Sequence, residues 1–185
     1  MLKNQHIIQI LKQAKNLKTD MKLEKQKLKK SLNESSIINF SENLLKDYSD
    51  FEKVNDNWNM LSYLNYNFDL NAAIAFSKLY FPNFIEHEDC VILSFLFRLE
   101  NFREWFEEFN GNIRETEKMC NLYEIKDFFH INSNEVDKET LKVFANILST
   151  TWRINLGDLY PSKCFKIDIF EEYESLYITF YQDLM

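Results

Sequence analysis

Glycine is scarce in this sequence, and its scarcity excludes several large classes of enzyme. The chain has two glycines, Gly111 and Gly157, among 185 residues. Phosphate-binding loops, dinucleotide-binding turns and nucleophile elbows need two or more glycines within a few residues, because their backbone approaches a phosphate closely or turns sharply. We therefore exclude kinase-like enzymes, P-loop enzymes and enzymes that bind dinucleotides through this fingerprint.

Cysteine is also scarce, and its spacing favours free thiols. The three cysteines are Cys90, Cys120 and Cys164. An odd number without paired spacing is typical neither of a disulfide framework nor of a zinc site. We expect reduced thiols that act as small core hydrophobes in a cytoplasmic protein, and we predict no catalytic residue, metal or cofactor.

Unbroken apolar runs are short, such as residues 91–93 and 95–97. A membrane-spanning helix needs about 20 apolar residues, so we predict none. The start of the chain does not match a secretory signal, because Gln9 and Lys12 interrupt its apolar positions. What the chain has in abundance is aromatic residues, with 17 Phe, nine Tyr and three Trp. These supply enough apolar area for one domain with a buried core.

Charge divides the chain into two parts of opposite sign. Residues 1–30 contain nine lysines against Asp20 and Glu24, a net charge of +7. The remaining residues carry 13 basic and 27 acidic side chains, a net charge of -14. We therefore predict a basic N-terminal segment over residues 1–33 and an acidic, aromatic-rich domain over residues 34–185.

The basic segment is predicted to be one long amphipathic helix over residues 3–32. It lacks Gly and Pro, and its apolar positions recur mostly at three or four residues, although Lys18 and Lys25 interrupt the stripe. The helix could pack against a protein surface, or lie on an anionic membrane, although it has no Trp or Phe to anchor it there. It could also contact nucleic-acid phosphates, without an arginine to read bases. The candidate phosphate contacts are Lys22, Lys25, Lys29 and Lys30.

The acidic part is predicted to be a helix-dominated α+β domain. Cap residues and turn residues predict helices over residues 41–54, around 58–64, over 70–80, 101–109 and 113–120 (continuing irregularly to 129), and from 137 to about 157. In the helix over residues 70–80, we expect Ala72, Ala73, Ala75, Phe76 and Leu79 to be buried. Residues 90–97 read as a buried strand, and two alternating runs, 165–169 and 176–180, predict a C-terminal hairpin. Together the strands predict a small, three-stranded antiparallel sheet.

The most polar short run is residues 86–90, which offer an imidazole, three carboxylates and a thiol. On a strand, Glu86 and Glu88 would share one face, while His87 and Asp89 would point to the other. We therefore interpret the run as a solvated loop that enters a strand. A hydrolase with a site assembled around this run is our weakest functional hypothesis.

The leading hypothesis is a non-enzymatic, protein-binding protein whose acidic, aromatic surface masks a basic partner, as an inhibitor or an immunity-type protein would. Acidic residues accompany the aromatic ones in two runs, 104–109 and 170–173, and such surfaces repel phosphate. The candidate partner-binding residues are Glu104, Glu107, Glu108, Glu171, Glu172 and Tyr173. The alternative hypothesis is a nucleic-acid-associated accessory protein that docks through the lysine-rich helix.

Overall fold

The computed structural model describes residues 44–54, 58–129 and 136–183, together with Leu23, Ile38 and Phe40. The predicted N-terminal helix and the predicted domain boundary lie outside these residues, as do the four candidate phosphate contacts, Lys22, Lys25, Lys29 and Lys30. The described part confirms a helix-dominated α+β fold with a small antiparallel sheet and a C-terminal hairpin.

The described residues form six α-helices and five strands. The helices are α1 (Lys46–Val54), α2 (Met60–Asn67), α3 (Leu70–Tyr80), α4 (Leu99–Glu108), α5 (Ile113–Cys120) and α6 (Lys138–Leu159). The strands are β1 (Phe84–His87), β2 (Cys90–Leu93), β3 (Tyr123–Glu124), β4 (Phe165–Glu172) and β5 (Ser175–Gln182). A short 3₁₀ helix, Ile125–Phe128, follows β3.

Aspartate caps fix the starts of α3 and α6 where the sequence predicts them. Asp69 accepts a hydrogen bond from the backbone N–H of Ala72 at 2.8 Å. Asp137 accepts one from Thr140 in the same way, also at 2.8 Å. Each carboxylate satisfies a first-turn N–H that has no partner within the helix, so the cap sets the boundary.

Two boundaries differ from the prediction. Helix α4 begins at Leu99 rather than after Asn101, and its N-cap position is Arg98, whose side chain makes no capping hydrogen bond. The irregular helix predicted to continue from α5 to residue 129 is replaced by β3 and the 3₁₀ helix. Both errors arise where packing, rather than a cap residue, determines the backbone.

The strand predicted over residues 90–97 ends at Leu93 and belongs to a different sheet. It pairs antiparallel with β1, from Phe84 opposite Leu93 to His87 opposite Cys90. The three-stranded sheet is instead built in the order β3-β5-β4. The run could not be assigned to a sheet from its sequence, because both of its faces are buried and it carries no alternation.

The C-terminal hairpin is longer than its alternating runs indicate. Strands β4 and β5 pair from Phe165 opposite Gln182 to Glu172 opposite Ser175, which leaves a two-residue turn. The turn residues Tyr173 and Glu174 both have positive φ, 48° and 65°. A two-residue turn with two positive φ angles matches the right-handed twist of the strands, and it forms here without the usual Asn or Gly.

The main core lies between α6 and the three-stranded sheet. Helix α6 buries six residues, including Leu148, Trp152 and Leu156, and packs across β4 and β5. The Trp152 indole N–H donates to the carbonyl of Leu79 at 2.9 Å, which ties the end of α3 to this core. Strand β2 contributes Val91 and Leu93 from one of its faces.

A second, smaller cluster covers the opposite face of β2. Cys90 and Ile92 point into it and meet Phe102 of α4. The Phe102 ring lies edge-on to His87, with ring centroids 4.8 Å apart. Strand β2 therefore separates two apolar clusters, which explains its continuous apolar sequence.

Candidate protein-binding surfaces

Helix α4 presents an exposed acidic face. Glu104, Glu107 and Glu108 are all exposed, and none of them forms an ion pair within the described part of the chain. Trp105 of this helix and Phe109 at its C-cap are half-buried and stack, with ring centroids 5.7 Å apart and planes 12° apart. Negative charge beside aromatic rings suits a basic protein surface. The role of these residues in binding stays a prediction.

The other predicted binding residues lie at the tip of the β4–β5 hairpin. Glu171 and Glu172 are exposed, and Tyr173 is 91% exposed. Glu171 pairs with Lys138 of α6, and the hydrogen bond from that ammonium lowers the pKa of Glu171. Among the described residues, no hydrogen bond, ion pair or ring contact joins this tip to α4, so the predicted set forms two separate groups.

The polar run of residues 86–90 spans the end of β1, the hairpin turn and the first residue of β2. Glu88 and Asp89 occupy the turn with φ of 49° and 62°. The ammonium of Lys163 bonds the Glu86 carboxylate at 2.7 Å and the Asp89 carbonyl at 3.0 Å. Among the described residues, no group of three or more His, Cys, Asp or Glu side chains is placed to hold a metal ion. The run therefore closes a hairpin, and its geometry gives no support to the hydrolase hypothesis.

Glu117 is the one fully buried acidic side chain among the described residues, although its place in the charged run 114–118 favours a solvated helix face. Its Oε1 accepts the Val91 N–H at 2.6 Å and the Gln182 side-chain amide at 2.7 Å, while Oε2 accepts the Gln182 backbone N–H at 2.5 Å. Burial raises the pKa of Glu117, and these hydrogen bonds oppose the rise. Its oxygens are occupied by structural donors.

Asn121, at the end of α5, continues the same bridge between the two sheets. Its side-chain oxygen accepts the Leu93 N–H at 2.9 Å, and its amide donates to the carbonyls of Val91 and Phe180, at 2.9 and 3.2 Å. Together with Glu117 it provides hydrogen-bond partners for backbone groups of β2 and β5 that the two-residue strand β3 does not pair. We interpret both residues as structural, because they replace the hydrogen bonds of a missing strand segment.

Cys90 is buried, Cys120 is half-buried and Cys164 is exposed, so the predicted core position is wrong for Cys164. Cys90 and Cys120 are poor candidates for catalysis. Burial raises the pKa of Cys90 to about 12 and that of Cys120 to about 11, and the Glu117 carboxylate adds to both shifts. Both thiols are therefore protonated near neutral pH, whereas a nucleophilic cysteine needs its thiolate.

Several large apolar residues of α2 and α3 are exposed, although the sequence predicted a buried face on α3. Neither helix has a buried residue, so the predicted burial of Ala72, Ala73, Ala75, Phe76 and Leu79 is wrong: Ala73 and Ala75 are exposed, and the others are partly exposed. We call the following four exposed side chains the helix-pair surface. They are Leu61 (74% exposed), Leu64 (46%), Leu70 (76%) and Ile74 (58%).

Helix spacing places the helix-pair residues together on each helix. Leu61 and Leu64 are three residues apart on α2, and Leu70 and Ile74 are four apart on α3, so each pair shares a face. An open cleft lies at the edge of α2, lined by Phe51, Trp58, Ser62, Asn65 and Tyr66. Exposed apolar area is common at protein-interaction sites, so the helix-pair surface is a candidate binding surface.

A sequence signal for this surface existed. Residues 58–81 contain only two charged side chains, Asp69 and Lys78, although the segment forms two helices. A surface helix normally carries charge on its outer face, so helices without it indicate a surface that another chain segment or protein covers.

No protein-family model, curated protein sequence or solved structure matches this chain. Within the described residues, no helix is both long enough and apolar enough to span a bilayer.

Proposed function

We propose that this chain is a non-enzymatic, protein-binding protein that docks an apolar segment of its partner on the helix-pair surface. The exposure of Leu61, Leu64, Leu70 and Ile74 carries the proposal. Four large aliphatic side chains left in water represent apolar area whose burial would stabilise a complex, and such area is a common core of protein interfaces.

We favour a basic protein as the partner. The chain after residue 30 has a net charge of -14, and α4 carries Glu104, Glu107 and Glu108 without cationic partners in the described residues. Such charge speeds the encounter with a basic protein and discriminates against acidic ones. An inhibitor or immunity-type protein that masks a basic, nucleic-acid-binding enzyme would combine these two properties.

Affinity capture with matched variants tests the proposal. The tagged, full-length chain is incubated with an extract of its native cells, and one captured protein is then purified and its affinity measured. The Leu61→Gln/Leu70→Gln variant should bind it at least about tenfold more weakly, because two exposed anchors lose their apolar contacts. Leu159→Gln, which changes another exposed leucine, is the matched control and should bind normally.

A second variant tests whether the acidic residues of α4 speed the association with the partner. In Glu104→Gln/Glu107→Gln/Glu108→Gln, the association rate should fall several-fold at low salt, with a smaller change in the dissociation rate. A captured protein that binds all four forms alike would contradict the proposed surface and the proposed charge effect together.

The lysine-rich segment supports a second candidate function, nucleic-acid association. Its net charge of +7 over residues 1–30 would give binding that weakens steeply with salt. Replacing Lys22, Lys25, Lys29 and Lys30 with Gln should abolish binding of a short DNA or RNA duplex at low salt. If the unmodified chain binds neither duplex at low salt, this candidate is rejected.

A further inference from the structure

A cleft of about 300 Å³ opens between α3 and the segment that contains β3 and the 3₁₀ helix. None of its lining residues belongs to the helix-pair surface, although three of them lie on α3. The lining residues are Ala75, Lys78, Leu79, Phe95, Tyr123, Asp127 and Phe128.

Three aromatic rings form a corner in this cleft. Phe95 lies at 82° to Tyr123 and at 73° to Phe128, with ring centroids 6.3 and 6.2 Å away. Tyr123 and Phe128 are tilted by 55°, with centroids 4.5 Å apart. Phe95 meets the other two rings edge to face, and all three residues line the cleft. Phe95 is 39% exposed, so this wall is open to solvent.

Two features of the cleft, its aromatic rings and a carboxylate, attract positive charge. Each ring has a negative face, and a cation near several such faces is attracted to all of them. The Asp127 carboxylate borders the same cleft, and its charge adds to the effect of burial in raising the pKa of the Tyr123 hydroxyl. Lys78 also lines the cleft and opposes a bound cation, but its ammonium is not positioned over any of the three rings.

We propose that this cleft binds a trimethylammonium group carried on a short aliphatic stem. Such a group has no N–H to hydrogen-bond to water, so it loses less on entering an aromatic corner than an unmodified ammonium does. The rings contact the methyl groups, Asp127 supplies the counter-charge, and the aliphatic side chains of Ala75 and Leu79 contact the stem. A methylated lysine of a protein and a small molecule such as choline share this chemistry.

The test compares a charged ligand with a neutral ligand of the same shape. Choline and 3,3-dimethylbutan-1-ol are titrated into the full-length chain and followed by NMR, through the N-methyl or tert-butyl proton shift and the aromatic signals of the cleft. Choline should bind on the order of tenfold more tightly than the alcohol, with its methyl signal shifted upfield by the rings. Equal affinities, or no saturable binding of choline, would overturn the proposal.

Three variants locate the site. Phe95→Leu should weaken choline binding on the order of fivefold by removing a ring, and Asp127→Asn should weaken it by a smaller factor. Lys78→Gln should strengthen it, a result that a general loss of structure would not produce. Phe81→Leu, at an exposed phenylalanine outside the cleft, is the control and should leave binding unchanged.

Binding of two peptides then shows whether the trimethylammonium group belongs to a protein or to a small molecule. A trimethyllysine peptide that binds more tightly than both its unmodified form and choline indicates a protein ligand, whereas choline binding more tightly than the peptide indicates a small molecule. The Leu61→Gln/Leu70→Gln variant should bind choline normally, so failure of this proposal and failure of the proposed protein-binding surface are distinguishable.

Discussion

Helix α6 and the helix pair α2–α3 are both rich in apolar residues, yet they bury them very differently. Helix α6 has six buried residues, whereas α2 and α3 have none. The difference lies in what covers each helix. Helix α6 lies across two strands, while the C-terminal end of α3 is tied to α6 by the hydrogen bond from the Trp152 indole to the Leu79 carbonyl. Apolar composition therefore makes burial favourable, but a facing element is needed to provide it.

A Leu→Gln substitution should have a much larger effect on stability in α6 than in the helix pair. Leu148 of α6 is completely buried, and Leu148→Gln should lower the free energy of unfolding by about 4 kcal/mol, because it removes apolar contacts and buries an amide without partners. Urea denaturation measures the change, and Leu148→Ala is a milder version. A loss below about 1 kcal/mol would show that α6 is not the centre of the core.

The buried region also depends on a polar bridge that the helix pair lacks. Glu117→Leu should lower the free energy of unfolding by about 3 kcal/mol, because the buried backbone N–H groups of Val91 and Gln182 lose their acceptor. Hydrogen exchange should show faster exchange at these two amides than in the unmodified protein. Unchanged protection at both would contradict the bridging role.

The raised pKa of Glu117 gives this bridge a pH signature. The folded protein holds the Glu117 proton more tightly than the unfolded chain, in which glutamate has a pKa of about 4.3. The stabilisation linked to this proton is therefore complete below that pH, and it is lost as the pH rises through the folded pKa. Relative to Glu117→Gln, the unmodified protein should thus lose stability with rising pH, by about 1.4 kcal/mol for each unit of the shift. A difference between the two that stays constant from pH 4 to 8 would contradict it.

A smaller effect, of opposite sign, is expected at the β4–β5 turn. Tyr173 and Glu174 both have positive φ, which costs energy for side chains of these types. Tyr173→Asn/Glu174→Gly should raise the free energy of unfolding by about 1 kcal/mol, measured by urea denaturation. The double substitution Tyr173→Asn/Glu172→Gly, which places glycine at a strand position, should not give this gain.

Local signals predicted much of this fold, and tertiary contacts determined the rest. Asp69 and Asp137 predicted the starts of two helices correctly, because a carboxylate cap accepts a hydrogen bond from a residue only three positions ahead. The pairing of β2 with β1 and the existence of the two-residue strand β3 depend on distant partners, so no local pattern encodes them. Glu117 was missed for the same reason, since its three donors come from two other elements.

The candidate surfaces follow the same rule. Glu104 and Tyr173 are exposed, and their role in binding stays a prediction, whereas the exposure of Ala73 and Ala75 contradicts the burial predicted for them. Periodicity shows that a helix has an apolar face, but it does not show what covers that face.

The stability of Leu61→Gln/Leu70→Gln most directly tests the claim that the helix-pair surface is a docking surface and not part of the core. These side chains are 74% and 76% exposed, and Gln and Leu have similar helix propensities. We expect the free energy of unfolding of the full-length chain to change by less than about 0.5 kcal/mol in urea denaturation. A loss of about 2 kcal/mol or more would show that both leucines are buried within the folded chain, and it would contradict the account.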